Sequence, residues 1–220
     1  VERRAVAAFH RATSSVEADR LVEVTCRATG RVARVHVEEG ARVLIHGLSE
    51  EKARKVSSDL GVAAGWFTAD LRDPGSPQQL VDASIDRFGR LDGLVNNAAV
   101  TTRSTIDTTD PETFDRITAI NLRAPLLMIK AAMPHFREVG GGSVLNIGSV
   151  NALGGEPSLL VYSISKGGLQ TMTRNLANAH NTENIRFNQL NVGWTLTEHE
   201  HEVQLKDGMP ENWHEQLPDV

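Results

Sequence analysis

Cysteine, tyrosine and surplus positive charge are what this 220-residue chain has least of. A single cysteine, Cys26, excludes an internal disulfide, which suits a reducing compartment, and the expected location is cytoplasmic. Asp and Glu outnumber Lys and Arg by 28 to 23, for a net charge of −5. Without clustered excess cations, no nucleic acid is expected as a partner. No apolar run approaches the roughly 18 residues needed to span a bilayer, so no membrane partner is expected either. Glycine is scarce at one telling place. "TCRATGRV" at 25–32 follows the β-branched run "LVEV" as a nucleotide-binding turn would, yet Gly30 is its only glycine. A turn whose N–H groups approach a pyrophosphate normally needs several, because a side chain there stands between peptide and ligand.

What the chain does contain is an alternation of two periods. Short β-branched runs at 21–25, 42–46, 65–69, 91–96, 142–147 and 185–191 are predicted strands. Between them, helical spacing predicts helices near 31–38, 49–60, 77–88, 112–138 and 159–180. Ser76–Pro77 and Asp110–Pro111 each place a capping side chain before a proline, a helix-start signal. Most strand runs are apolar on both faces, and strands alternating with crossover helices predict a doubly wound parallel α/β sheet of Rossmann type. At 40% hydrophobic content the chain is expected to bury one core in a single domain over 21–203. Residues 1–20 read as an N-terminal tail; their Arg, Ala and Ser content is presequence-like, which Glu2 argues against. Residues 204–220 read as the C-terminal segment of a substrate lid.

Open sheets of this kind bind ligands beyond the carboxyl ends of their strands. The unusual residues fall there: Cys26 to Gly30, His46–Gly47, Asp70, Asn96 to Ala99, Gly148–Ser149 and Val192 to Thr197. "VYSISKGG" at 161–168 sets Tyr162 and Lys166 one helical turn apart, on one face. A free phenol titrates near pKa ~10, and an adjacent ammonium lowers that value, so the pair is a plausible acid/base unit. By itself Y-x-x-x-K is a weak signal that also describes an exposed turn with a snorkelling lysine. Its company strengthens it. Tyr162 is the chain's only tyrosine, Ser149 stands just past the strand "GSVLNI", and Asn121 lies mid-helix, where asparagine is an indifferent former.

On these residues the chain resembles the short-chain dehydrogenase/reductase family over about 21–200. "VNNAA" at 95–99 resembles the family's N-N-A-G, and Asn121, Ser149, Tyr162 and Lys166 fall in the order of its catalytic tetrad. "NVGWTLT" at 191–197 is similar to its P-G-x-x-x-T, with Val192 in the proline's place. The resemblance implies a hydride transfer between NAD(P) and a carbonyl or secondary alcohol. Tyr162 would be the acid/base, Lys166 would lower its pKa and bind the nicotinamide ribose, Ser149 would polarise the substrate oxygen and Asn121 would support a water relay. It also implies cofactor contacts at Thr25, Gly30, Gly47, Asp70, Asn97, Ala98, Val192, Gly193 and Thr197, besides Tyr162 and Lys166. The implied partners are a small carbonyl or alcohol substrate and a second copy of the chain, in a homodimer or homotetramer through helices 112–138 and 159–180.

The chain departs from the family pattern in three ways. The turn T-G-x-x-x-G-x-G has Cys26 for its first glycine and Val32 for its last, and is about three residues short. Arg27, Arg31 and Arg34 would pair with phosphate there or stand as solvated charges. No long helix and strand follow Thr197, so the sheet is expected to lack its last edge strand. Gly47 replaces the carboxylate that would hold the ribose diol of NAD, a slight tilt to NADP. A second function class stays open: a non-catalytic relative that keeps the dimerising helices without binding cofactor. Two other classes are set aside. "NIGSVNA" lacks the G-x-S-x-G of a serine nucleophile, and His199 and His201, spaced i, i+2, do not converge on a metal.

Overall fold

The computed structural model describes residues 22–26, 42–60, 63–193, 198–206 and 208–213. The expected helix near 31–38, Gly30, Thr197 and the tail 1–20 lie outside the described residues. Six strands form one parallel sheet: β1 (Val22–Cys26), β2 (Arg42–Gly47), β3 (Ala63–Thr68), β4 (Gly93–Asn96), β5 (Gly142–Ser149) and β6 (Ile185–Val192). Their order is β3-β2-β1-β4-β5-β6, so the winding reverses between β1 and β4, where Thr25 pairs with Val95. The doubly wound α/β expectation holds. Among the described residues β6 is the outer strand on its side, and its burial differs from that of β2, β4 and β5. Ile185 and Phe187 are buried while Arg186 and Asn188 are exposed, the one-sided pattern of a half-covered edge.

The helices are α1 (Glu50–Asp59), α2 (Ser76–Phe88), α3 (Pro111–Thr118), α4 (Ala124–Glu138), α5 (Asn151–Gly154), α6 (Leu160–Ala179) and α7 (Glu198–Lys206). Asp110 caps α3 as expected, its Oδ1 accepting the Thr113 N–H at 2.7 Å. Ser76 does not cap α2. Gly75 takes that place, and the Ser76 hydroxyl instead donates to the Asp70 carbonyl at 2.7 Å. At the other end Gly89 adopts φ 77°, a left-handed cap whose N–H returns to Ile85. Leu80, Val81 and Phe88 of α2 meet Met128, Ile129, Ala132 and Phe136 of α4 over Leu94 and Val144 of the sheet. No helix among the described residues is long and apolar enough to cross a membrane.

The single helix expected over 112–138 is interrupted. Residues Ala119–Arg123 form one π-turn between α3 and α4. The residue four places beyond Asn121 is Pro125, which has no N–H to return to the Asn121 carbonyl and whose ring would crowd it. A π-turn accommodates both problems by inserting one extra residue.

Candidate active site

Three elements bring four side chains together at the carboxyl edge of the sheet. β5 delivers Ser149, only 7% exposed, whose Oγ accepts the Asn151 N–H at 3.2 Å. α6 delivers Tyr162 from its first turn and Lys166 from its second. That first turn has no side-chain cap; Leu159, at the N-cap, has φ −129°. It is tethered instead by Ser104, which bridges to Leu159 in parallel fashion and accepts the Val161 N–H on its Oγ at 3.2 Å. The π-turn delivers Asn121, 1% exposed. The Asn121 side chain clasps the Val100 peptide, accepting its N–H at 2.8 Å and donating to its carbonyl at 3.0 Å.

Burial shapes the charges here. Lys166 is 3% exposed and donates to the Ile147 carbonyl at 2.6 Å; desolvation pulls its ammonium down to about 8. Burial pushes the Tyr162 phenol up, and a hydrogen bond with Ser149 partly offsets this. The expected lowering by Lys166 is not what the geometry shows. The ammonium lies over the ring face, 5.7 Å from its centroid, and the group that draws the phenol down is Ser149. The phenol is therefore neutral at neutral pH and holds a proton to donate.

Toward the outer side of the sheet the picture is mixed. Asp70 follows β3 as expected, but its carboxylate is held by Arg72, with Nε 2.8 Å and Nη2 2.5 Å from Oδ2. That pairing keeps Asp70 below the usual carboxylate range. Gly47 ends β2; a Cβ there would come no nearer than 3.7 Å to the Ala53 Cβ, so packing alone does not demand glycine. Asn97 and Ala98 follow β4, and Val192 and Gly193 close β6, with the Val192 carbonyl accepting the Val150 N–H at 3.1 Å. Thr25 pairs with Ile45 within β1 and β2.

Three features go beyond the sequence reading, which named His46 and Asn96 only as residues at strand ends. His46, 2% exposed, contacts the Ala69 carbonyl through Nε2 at 2.8 Å while Nδ1 has no partner among the described residues, and burial lowers its pKa. A carbonyl only accepts, so Nε2 carries the proton and Nδ1 is a bare acceptor. Second, a buried polar chain crosses the sheet: Asn96 donates to Asn146 and Asn146 to Thr173, both at 2.8 Å, and Thr173 reaches Gln189 at 3.2 Å. Third, the Ser165 hydroxyl meets Asn121. Polar residues inside the apolar runs "GLVN" and "VLNI" were the available signal for the second.

An open parallel sheet with a tyrosine, a lysine, a serine and an asparagine gathered at its carboxyl edge, where such sheets bind their ligands, matches the class that the sequence resemblance implied, the nicotinamide-dependent oxidoreductases. The comparisons place the chain within that class. The family described as enoyl-(acyl carrier protein) reductase matches residues 29–219. An uncharacterised oxidoreductase of Thermotoga maritima is 35% identical over 171 residues, which cover 76% of this chain and 67% of that protein. A 3-ketoacyl-(acyl-carrier-protein) reductase from Brucella melitensis, solved with NADH, superposes with a TM-score of 0.67 at 33% identity, covering 70% of this chain and 66% of that one. A 3-oxoacyl (acyl-carrier-protein) reductase from Agrobacterium tumefaciens, solved with NADP, gives 0.73 at 25% identity, covering 80% and 69%. The chain belongs to the short-chain dehydrogenase/reductase family. It spans about two thirds of the length of these relatives.

Proposed function

We propose that this protein transfers a hydride reversibly between NAD(P) and a small carbonyl or secondary-alcohol substrate. The observation that carries the proposal is the convergence of Asn121, Ser149, Tyr162 and Lys166, from the π-turn, β5 and α6, at the carboxyl edge of the sheet. The neutral Tyr162 phenol gives its proton to the substrate oxygen during reduction and takes it back during oxidation. Ser149 polarises that oxygen from the adjacent hydroxyl. Asn121 holds the π-turn against Val100 and supports a water relay to the site.

The described residues fit the nicotinamide end of a dinucleotide. The buried Lys166 ammonium has three donors and gives one to Ile147, leaving two for a ribose diol. The nicotinamide supplies or takes the hydride when bound. Asn97, Ala98, Val192 and Gly193 line its approach, and Gly30 and Thr197 would complete it. Asp70 would meet the adenine only by sharing its carboxylate with Arg72. With Gly47 rather than a carboxylate at the end of β2, the reading leans to NADP.

A homodimer or homotetramer through 112–138 and 159–180 fits the exposed Leu126 and Ile164 and an open groove of about 470 Å³ lined partly by Leu122, Leu126 and Met172. A cytoplasmic location is consistent with the single cysteine. Residues 204–220 read as part of a lid, and within them the buried Trp213 donates to His201 of α7 at 3.1 Å.

Fluorescence titration with NADPH and NADH tests the function. Micromolar binding, tighter for NADPH, is expected. Absence of binding to either at millimolar concentration would overturn it in favour of a non-catalytic relative.

A further inference from the structure

The hydroxyl of Ser165 stands between the two halves of the site. Its residue is fully buried, three places after Tyr162 and one before Lys166. Oγ donates to the Tyr162 carbonyl at 2.6 Å and lies 3.1 Å from Asn121 Nδ2. A hydroxyl has one proton, and a carbonyl can only accept it. Toward Asn121 the oxygen is therefore an acceptor. The amide obeys the same logic: Oδ1 must face the Val100 N–H, and the two Nδ2 protons go to the Val100 carbonyl and to Ser165. No other orientation of the amide or the hydroxyl keeps every bond.

We propose that Ser165 is a positioning residue whose hydroxyl locks the π-turn carrying Asn121 to the first turn of α6, and so fixes where the Tyr162 side chain stands relative to Ser149. The need for such a lock follows from the missing cap. The first turn of α6 has no side-chain cap of its own, and the Ser104 tether holds the Val161 N–H, before Tyr162, without reaching the π-turn that carries Asn121. Without Ser165, the buried Asn121 amide loses an acceptor and the Tyr162 turn loses its tie to the π-turn. The proposal rests on the acid/base reading of Tyr162, but its test needs neither substrate nor cofactor.

Because Tyr162 is the only tyrosine, its ionisation is a single observable. The experiment is a pH titration of the full chain carrying ¹³Cζ-labelled tyrosine, followed by NMR. In Ser165→Ala the midpoint is expected to rise by about half a unit or more, the scale of one lost hydrogen bond, because Ser149 no longer reaches the phenol while its burial persists. Asn121→Ala should raise it in the same way. The double variant should shift no further, because both changes open one clasp. Equal midpoints in wild type and a cooperatively melting Ser165→Ala would overturn the proposal, as would additive shifts in the double variant. Should Ser165→Ala fail to fold, Ser165→Cys keeps the shape with a far weaker hydrogen-bonding group and is read by the same criteria. Failure here leaves the acid/base role of Tyr162 standing, since that role is tested by its own substitution.

Discussion

The Lys166 ammonium and the Ile147 carbonyl are 2.6 Å apart, and the carbonyl lies on the strand that ends in Ser149. The strand carrying the serine thus anchors the lysine of α6 as well. With its ammonium pulled down to about 8, free Lys166 sheds its proton as the pH rises above that value. Binding that uses its donors to hold a ribose then requires proton uptake. The NADPH dissociation constant should be flat below pH 8 and should rise toward about tenfold per unit above it. Fluorescence titrations between pH 6.5 and pH 9.5 read this directly, and in Lys166→Met the binding should be weaker and lose the pH dependence. A wild-type profile that stays flat to pH 9.5 would remove Lys166 from the ribose contact.

Tyr162→Phe removes the phenol oxygen and leaves the ring. Turnover of a carbonyl panel with NADPH should fall by roughly 10²-fold to 10⁴-fold, the usual worth of a general acid. NADPH affinity should change little. Activity near the wild-type level would show that another group handles the proton.

His46 gives a stability prediction. Its folded pKa is lowered by burial from 6.5, so the unfolded chain takes up a proton first as the pH falls. Stability is then lost as pH drops through and below 6.5, because protonation favours the unfolded chain. Thermal melts from pH 7.5 to pH 5 should show this slope in wild type and a shallower one in His46→Leu. Identical slopes would mean that His46 is not the group responsible.

The chain of buried amides across the sheet should matter to folding more than to chemistry. Asn146→Leu leaves Asn96 Nδ2 without its acceptor and Thr173 without its donor. An expected cost of about 1–3 kcal/mol for each orphaned group would show in urea unfolding at pH 7. Unchanged stability would show that water replaces the lost partners without penalty.

The strands were legible because their β-branched runs are local and dense; all six stand within a few residues of the predicted ranges. The break at Asn121 was not read, although Pro125 four residues on is a local signal, because what stabilises the break is the remote Val100 peptide. Ser76 looked like a cap and became the first helical residue, since its hydroxyl found Asp70 rather than its own helix. Asn121, Ser149, Tyr162 and Lys166 could be named from their order along the chain. Ser165 could not, because its partner Asn121 lies 44 residues away, and neither could Asn146, which is 50 from Asn96. A polar residue in an apolar run looks the same whether it meets solvent or a buried partner.

The π-turn also acts as a phase shifter. Each residue of an α-helix turns the chain by about 100°, so one residue beyond the regular count rotates everything downstream by that angle. Were the helix to run on regularly from α3, the stripe of Met128, Ile129, Ala132 and Phe136 would swing off the sheet and toward water. The π-turn absorbs that extra residue, so a one-residue deletion within 119–123 would restore a regular helix that keeps the apolar stripe on the sheet and loses the turn that presents Asn121 to the site.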